Sequence, residues 1–201
     1  MAESSASIIG STVPGRYGES RARAELGELT IATAWNIQGK PDRAPFVDEV
    51  RRTFAIDLPL GANKTSRNDS MTALWLGPES WLLVAGNTPI PVTFSTARDT
   101  LNAAGGALFD VSASRVAYHV SGADASALLS RRCPLDFHPG AFAVQACAQS
   151  LLGHIGALYY RRSADAFVVM VARSFARVAW HDLCVSAAVD GYDVVSTEAF
   201  A

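Results

Sequence analysis

The chain has 201 residues, 49% of them apolar and 18% charged, with a formal net charge of −2. That composition is too apolar for a disordered chain, and the near-neutral balance excludes a nucleic-acid partner held by phosphate contacts. A chain of this length buries roughly 70% of the surface it exposes when unfolded, enough for one domain or two small ones. Cys133, Cys147 and Cys184 are odd in number, widely spaced and without a CxxC pair, which predicts reduced thiols in a cytoplasmic protein. No basic segment precedes an apolar one at the start, so no signal peptide is expected. The longest apolar stretch, Ala166 to Ala172, is far short of the ~20 residues that span a bilayer. The sequons at Asn63 and Asn68 fall in a polar loop and, without a secretory route, are coincidences.

Residues 1–28 are rich in small and charged residues without a sustained period, which predicts an N-terminal arm that is flexible alone or ordered only by a partner. Leu29, Ile31, Trp35 and Ile37 read as one strand ending at Gly39-Lys40-Pro41. Phe46, Val47, Val50 and Phe54 then fall at helical spacing, predicting a helix from Arg43 to Ala55. A polar loop follows over 61–70. Two strands, Thr72–Leu76 and Trp81–Ala85, flank the turn residues Gly77-Pro78-Glu79-Ser80. Pro91 suits the first turn of a helix reaching Ala104, which Gly105-Gly106 stops, and Ala107 to Asp110 reads as a strand. The same order then recurs, with a strand Arg115–Val120, a helix Asp124–Arg131 and strands near Val144–Gly153, Ile155–Arg161 and Ala166–Val171. A helix follows from a Ser174 cap to Ala187, with Phe175, Val178, Ala179 and Leu183 on one face, and then a strand Tyr192–Val195. A β-α-β-β-α-β order that occurs twice predicts an α+β fold of two ferredoxin-like split βαβ halves, over 29–112 and 113–201, packed as one globular body.

Candidates for chemistry each meet a plainer explanation. Neither GxGxxG after a strand nor GxxxxGK[ST] is present, so no nucleotide cradle is predicted. Cys133, His138, Cys147 and His154 invite a zinc site, but their spacing, C-x4-H-x8-C-x6-H, matches none of the usual short-spaced pairs. Cys133 with His138, or Ser112 with His119 and Asp110, could form a nucleophile and base. Yet Cys133 precedes a proline in a loop, and Ser112 and His119 lie seven apart along a strand, which points them to opposite faces. The dipeptides Arg51-Arg52, Arg131-Arg132 and Arg161-Arg162 each end an element; they read as solvated arginines favoured by helix dipoles, or as interface arginines. Trp35, Trp75, Trp81 and Trp180 read as core, with an exposed indole the usual interface anchor.

Several segments, in order, resemble the gamma subunit of heterotetrameric sarcosine oxidase: Leu76-Gly77-Pro78-Glu79-Ser80-Trp81-Leu82-Leu83, Asp110-Val111-Ser112-Ala113-Ser114-Arg115, Gly122-Ala123-Asp124-Ala125 with Leu128-Leu129, Cys133-Pro134-Leu135-Asp136-Phe137-His138-Pro139, Cys147 to Leu152, and Val171 to Ala176. The Asp-Val-Ser…Arg element and the Gly-x-Asp-Ala that follows are also similar to the aminomethyltransferase (glycine cleavage T-protein) type of folate-binding fold.

The resemblance implies an accessory, structural chain in a complex that oxidatively demethylates sarcosine to glycine, yielding formaldehyde or 5,10-methylenetetrahydrofolate and hydrogen peroxide. It implies alpha, beta and delta partner subunits, with packing mainly on alpha. FAD, FMN, NAD, tetrahydrofolate and zinc are then expected on those partners, with no cofactor, metal or catalytic residue on this chain. Asp110, Ser112, Arg115 and Trp81 become structural or interface candidates, the carboxylate and the arginine pinning a strand turn. The alternatives are a stand-alone folate-binding module of T-protein type and a subunit of a related N-methyl amino acid demethylase.

Overall fold

The computed structural model describes residues 13–18 and 23–200. In chain order these form β1 (Gly15–Tyr17), β2 (Glu25–Thr30), β3 (Thr33–Gln38), α1 (Ala44–Phe54), β4 (Thr65–Arg67), β5 (Thr72–Gly77), β6 (Ser80–Ala85), α2 (Phe94–Ala103) and β7 (Ala107–Asp110). A 3₁₀ turn over Ser112–Ser114 leads into β8 (Arg115–Ser121), α3 (Ala125–Ser130), β9 (Cys147–Leu152), β10 (Ile155–Arg161) and β11 (Ala166–Ala172). A second 3₁₀ turn, Arg173–Phe175, precedes α4 (Ala176–Ala187), β12 (Tyr192–Val194) and β13 (Glu198–Ala199). The chain divides into two units: 30–115 with 145–149 and the 199–200 tail, and 23–29 with 13–18, 116–144 and 150–198.

The unit built on 30–115 carries the split βαβ order in full. Its sheet runs β4-β5-β6-β3-β7, so the first and third strands of the β-α-β-β-α-β repeat (β3, β6) lie inside and the second and fourth (β5, β7) outside them. Successive side chains alternate across the sheet, and one set of alternate positions makes the core. Trp75 pairs with Trp81, Trp81 with Ile37 and Ile37 with Leu108, giving one apolar row across four strands. Phe46, Val50 and Phe54 of α1 and Ala97 and Leu101 of α2 pack on the same cluster at the i, i+4 spacing of a helix face. Each large side chain fully buried here contributes about 1.5–3 kcal/mol. Phe46 comes so close to Gly39 and Gly106 that a Cβ would lie 2.5 Å and 2.6 Å from its ring, which explains glycine at both positions. The polar loop expected over 61–70 contains the edge strand β4. Asn68 organises it, donating to Phe54 O at 2.9 Å and accepting from Ser70 N and Met71 N, each at 2.9 Å. Helix α2 is capped by the Thr93 hydroxyl, which accepts from Thr96 N, so Pro91 precedes the helix rather than opening it.

The other unit departs from the expected repeat at one place. Its sheet is ordered β1-β12-β2-β8-β11-β10-β9, with β13 also on β2. Strand β8 has β2 on its outer side, where β7 lies beside β3 in the first sheet, and β12 is displaced one position outward. Residues 15–17 and 25–28, inside the expected arm, are therefore in strands; residues 1–12 and 19–22 lie outside the described residues. The expected strand from Leu29 to Ile37 is two strands, β2 and β3, broken at Ile31-Ala32. The expected Ser174 cap is also replaced: Phe175 is the N-cap of α4, without a side-chain cap bond.

Arg161, expected on the surface, is only 2% exposed. Its guanidinium donates to Phe142 O at 2.7 Å, Phe137 O at 3.2 Å, Ser163 O at 3.2 Å and Ala164 O, and lies 5.1 Å from the centre of the Phe167 ring. Phe137, in turn, meets Phe142, Tyr159 and Phe167 edge-on at 5.3–5.8 Å. One buried cation thus ties the 137–142 loop and the β10–β11 turn to an aromatic cluster. Arg161→Met keeps the apolar stem and leaves these carbonyls without their donor. It should lower unfolding free energy by roughly 3 kcal/mol in urea titration; an unchanged midpoint would show that the carbonyls need no guanidinium.

Candidate functional site

The segment Asp110–Arg115 carries the end of β7 through a 3₁₀ turn into β8. The Ser112 hydroxyl oxygen accepts from Ala34 N at 2.9 Å and lies 2.6 Å from Asp110 Oδ1 and 3.3 Å from Ala34 O. A hydroxyl has one hydrogen, and the shorter, charge-assisted contact assigns it to the carboxylate. Asp110 Oδ1 also accepts from Ser112 N at 2.9 Å, closing an Asx-type turn. Ala34 O is satisfied by Val111 N at 2.9 Å, and Ser114 Oγ donates to Val111 O at 2.8 Å. The pairing of Trp35 with Asp110 in the ladder is thereby extended by one side chain, which replaces a missing backbone bond.

Arg115 opens β8 at the end of the turn. It is half-buried, burial lowers its pKa, and among the described residues no ion pair joins it to Asp110 or to any other carboxylate. The turn is pinned by a carboxylate and a hydroxyl instead. Trp81 is fully buried, and its indole N–H donates to Pro59 O at 2.8 Å. The core reading of the tryptophans holds for Trp35 and Trp81, whereas Trp75 and Trp180 are partly exposed.

The candidates for independent chemistry have other partners. His119 Nε2 pairs with Ser121 Oγ at 2.8 Å, and burial together with the nearby Arg162 charge lowers the pKa of the ring. Cys133 Sγ accepts from Leu135 N at 3.4 Å, and His138 Nδ1 accepts from Gly140 N at 3.1 Å. Cys147 lies against Lys64 O and Trp75 O, and burial pushes its thiol up to about 11, leaving little thiolate for nucleophilic or ligand chemistry near neutrality. Among the described residues no three His, Cys, Asp or Glu side chains are placed to hold a metal ion. No helix among them is long and apolar enough to cross a membrane. The basic dipeptides at α1 and α3 make ion pairs: Arg51 with Asp57 at 2.7 Å, Arg52 with Glu49 at 2.6 Å, Arg131 with Asp190 and Arg132 with Asp182.

Fold and site together define an α+β chain built from split βαβ units in which the conspicuous polar side chains serve the backbone around them. Comparison with known proteins gives that class a family. The sequence profile described as "Sarcosine oxidase, gamma subunit family" matches residues 38–189, and the chain belongs to that family. It is 28% identical over 162 residues to the sarcosine oxidase subunit gamma of Corynebacterium sp. (strain P-1), covering 79% of this chain and 77% of the relative. It is 30% identical over 151 residues to that of Corynebacterium sp. (strain U-96), covering 75% and 72%. Among solved structures, a chain of the heterotetrameric sarcosine oxidase from Corynebacterium sp. U-96 superposes with a TM-score of 0.75 at 23% identity, over 87% of this chain and 88% of that one. The glycine cleavage system aminomethyltransferase T from Bartonella henselae follows at 0.60 and 14%, over 89% of this chain but only 48% of that one. The fold is therefore of the folate-binding, aminomethyltransferase-like type expected from the sequence.

Replacing the turn's hydroxyl tests its structural role. Ser112→Ala leaves Ala34 N without its acceptor and removes one of the two donors to Asp110 Oδ1, and should cost about 1–2 kcal/mol of stability. Differential scanning calorimetry checks this, and a thermal midpoint equal to that of the unsubstituted chain would contradict it.

Proposed function

We propose that this chain is the accessory gamma subunit of a heterotetrameric sarcosine oxidase and contributes structure rather than reacting groups. The observation that carries the proposal is the family match over 38–189, which includes the Asp110–Arg115 turn and the buried Trp81. In that complex, sarcosine, dioxygen and water give glycine, formaldehyde and hydrogen peroxide, or the one-carbon unit passes to tetrahydrofolate as 5,10-methylenetetrahydrofolate. FAD, FMN, NAD, tetrahydrofolate and zinc are assigned to the alpha, beta and delta partners, with alpha the main neighbour. Three free cysteines, Cys133, Cys147 and Cys184, support a cytoplasmic setting. Asp110 and Ser112 are proposed to hold the β7–β8 turn, Trp81 to fill the core of its unit, and Arg115 to serve either the turn or an interface.

The likeness to the aminomethyltransferase is one of fold. A stand-alone folate-binding module draws no support from it, because this chain spans about half of that enzyme's length. The accessory reading also predicts how the chain behaves beside its partners. Co-expressed with the neighbouring reading frames and purified through a tag on this chain, the protein should emerge as a yellow complex that consumes oxygen with sarcosine. Recovery of this chain alone, colourless, beside abundant soluble partner subunits would overturn the proposal.

A further inference from the structure

Helix α4 has an apolar arc wider than the part of it that is buried. At about 100° per residue, Ala176, Ala179, Leu183, Ser186 and Ala187 occupy an arc of roughly 100° and are buried. Beside that arc lies a second apolar line that faces outward: Phe175, Val178, Val185 and Val189 are 44%, 52%, 47% and 66% exposed. Val178 and Val185 stand on either side of Asp182 on α4 itself, while Phe175 is its N-cap and Val189 lies two residues past its last residue, so apolar side chains form an exposed seam along the helix and at both of its ends. Val178 and Val185, seven residues apart, are about 10 Å from each other along the axis and on nearly the same side of the helix. Helix α1 shows what an ordinary outer face looks like here, carrying Asp48, Glu49, Arg51 and Arg52.

Charge on this face is uneven. Asp182, in the middle of the seam, is ion-paired with Arg132, and Asp190 at its far end with Arg131. Arg177 and His181 flank the seam, are exposed, and ion-pair with none of the described residues. Carboxylates on this face are thus matched, whereas the flanking basic groups await acidic partners. A second copy of the chain fits poorly: a two-fold axis through the middle of an antiparallel seam sets Asp182 against its own mate, with both Arg132 side chains crowded behind.

Resting on the accessory-subunit reading above, we infer that the seam of Val178 and Val185 on α4, with Phe175 and Val189 at its two ends, is a docking surface for another subunit of the oxidase, whose contact patch is apolar and rimmed by carboxylates facing Arg177 and His181. An apolar centre with a charged rim is the usual anatomy of such a contact, and Phe175 supplies an aromatic anchor at one end.

The test uses the tagged full-length chain co-expressed with its partner subunits, reading the flavin-containing protein recovered per mole of tagged chain. Val178→Glu/Val185→Glu should reduce recovery at least tenfold, while Asp48→Ala on α1 leaves it unchanged. Should the glutamates unfold the chain by circular dichroism, Val178→Thr/Val185→Thr keeps the shape and should still reduce recovery severalfold. If the unsubstituted chain recovers its partners and both valine pairs recover them equally well, the seam is not the docking surface although the assembly reading stands. If the unsubstituted chain recovers none, both fall. Sedimentation of the isolated chain should show a monomer; a dimer abolished by the valine substitutions would assign the seam to a second copy and overturn the inference.

Discussion

Strand β2 holds the place beside β8 that decides how the 116–198 portion of the chain closes. It pairs antiparallel with β8 from Glu25↔Ser121 to Leu29↔Ala117, and β12 pairs parallel with its other edge. Val195 N reaches Leu26 O at 2.9 Å and Asp193 N reaches Ala24 O at 3.0 Å, so the N-terminal segment joins the two parts of the chain that a simple repeat would place side by side. Parallel pairing cannot be made by a tight hairpin and requires a long connection; here almost the whole chain lies between β2 and β12. Tyr17 stacked on Tyr192 at 5.3 Å extends the same arrangement to β1. The 30–115 sheet has no such insertion, and there the fourth strand of the repeat, β7, sits directly on β3.

That contrast explains what was legible in the sequence. In residues 30–115 the alternation of Trp35 with Ile37 and of Trp81 with Leu83, and the i, i+4 run Phe46–Val50–Phe54, are local signals, and the elements they mark formed nearly where expected. Strand β2 was hidden because Gly27 and the carboxylates Glu25 and Glu28 interrupt its apolar positions; Glu28 is nevertheless buried. Its strand state comes from neighbours 88 or more residues away, which no window of sequence contains. Arg161 was misjudged for a related reason. A basic dipeptide at a strand end reads as surface, and only the converging carbonyls of Phe137, Phe142, Ser163 and Ala164 make its burial tolerable. The Phe175–Val178 line on α4 showed the right period, but period alone does not say which side of a helix faces inward.

At the Asp110–Arg115 turn the sequence indicates the position but not the bonding. Asp110 is joined to Ser112 by a hydrogen-bonded clasp, with Ala34 as its third member. The same economy runs through the chain: Trp81 N–H closes on Pro59 O, Asn68 organises the β4 loop, and Cys147 lies against two carbonyls. Side chains engaged in this way give a fold its uniqueness. Such a pattern suits a chain whose family is defined by membership of a larger oxidase, and whose structural likeness to an aminomethyltransferase extends over about half of that enzyme.

In the proposed complex this chain keeps the folate-binding type of fold while tetrahydrofolate belongs to a partner subunit. Titrating the purified full-length chain with tetrahydrofolate under anaerobic conditions, by isothermal calorimetry, asks this of the chain itself. Only the heat of dilution should appear at every ligand concentration. A saturable one-to-one isotherm would contradict it and make the chain a folate-binding module in its own right.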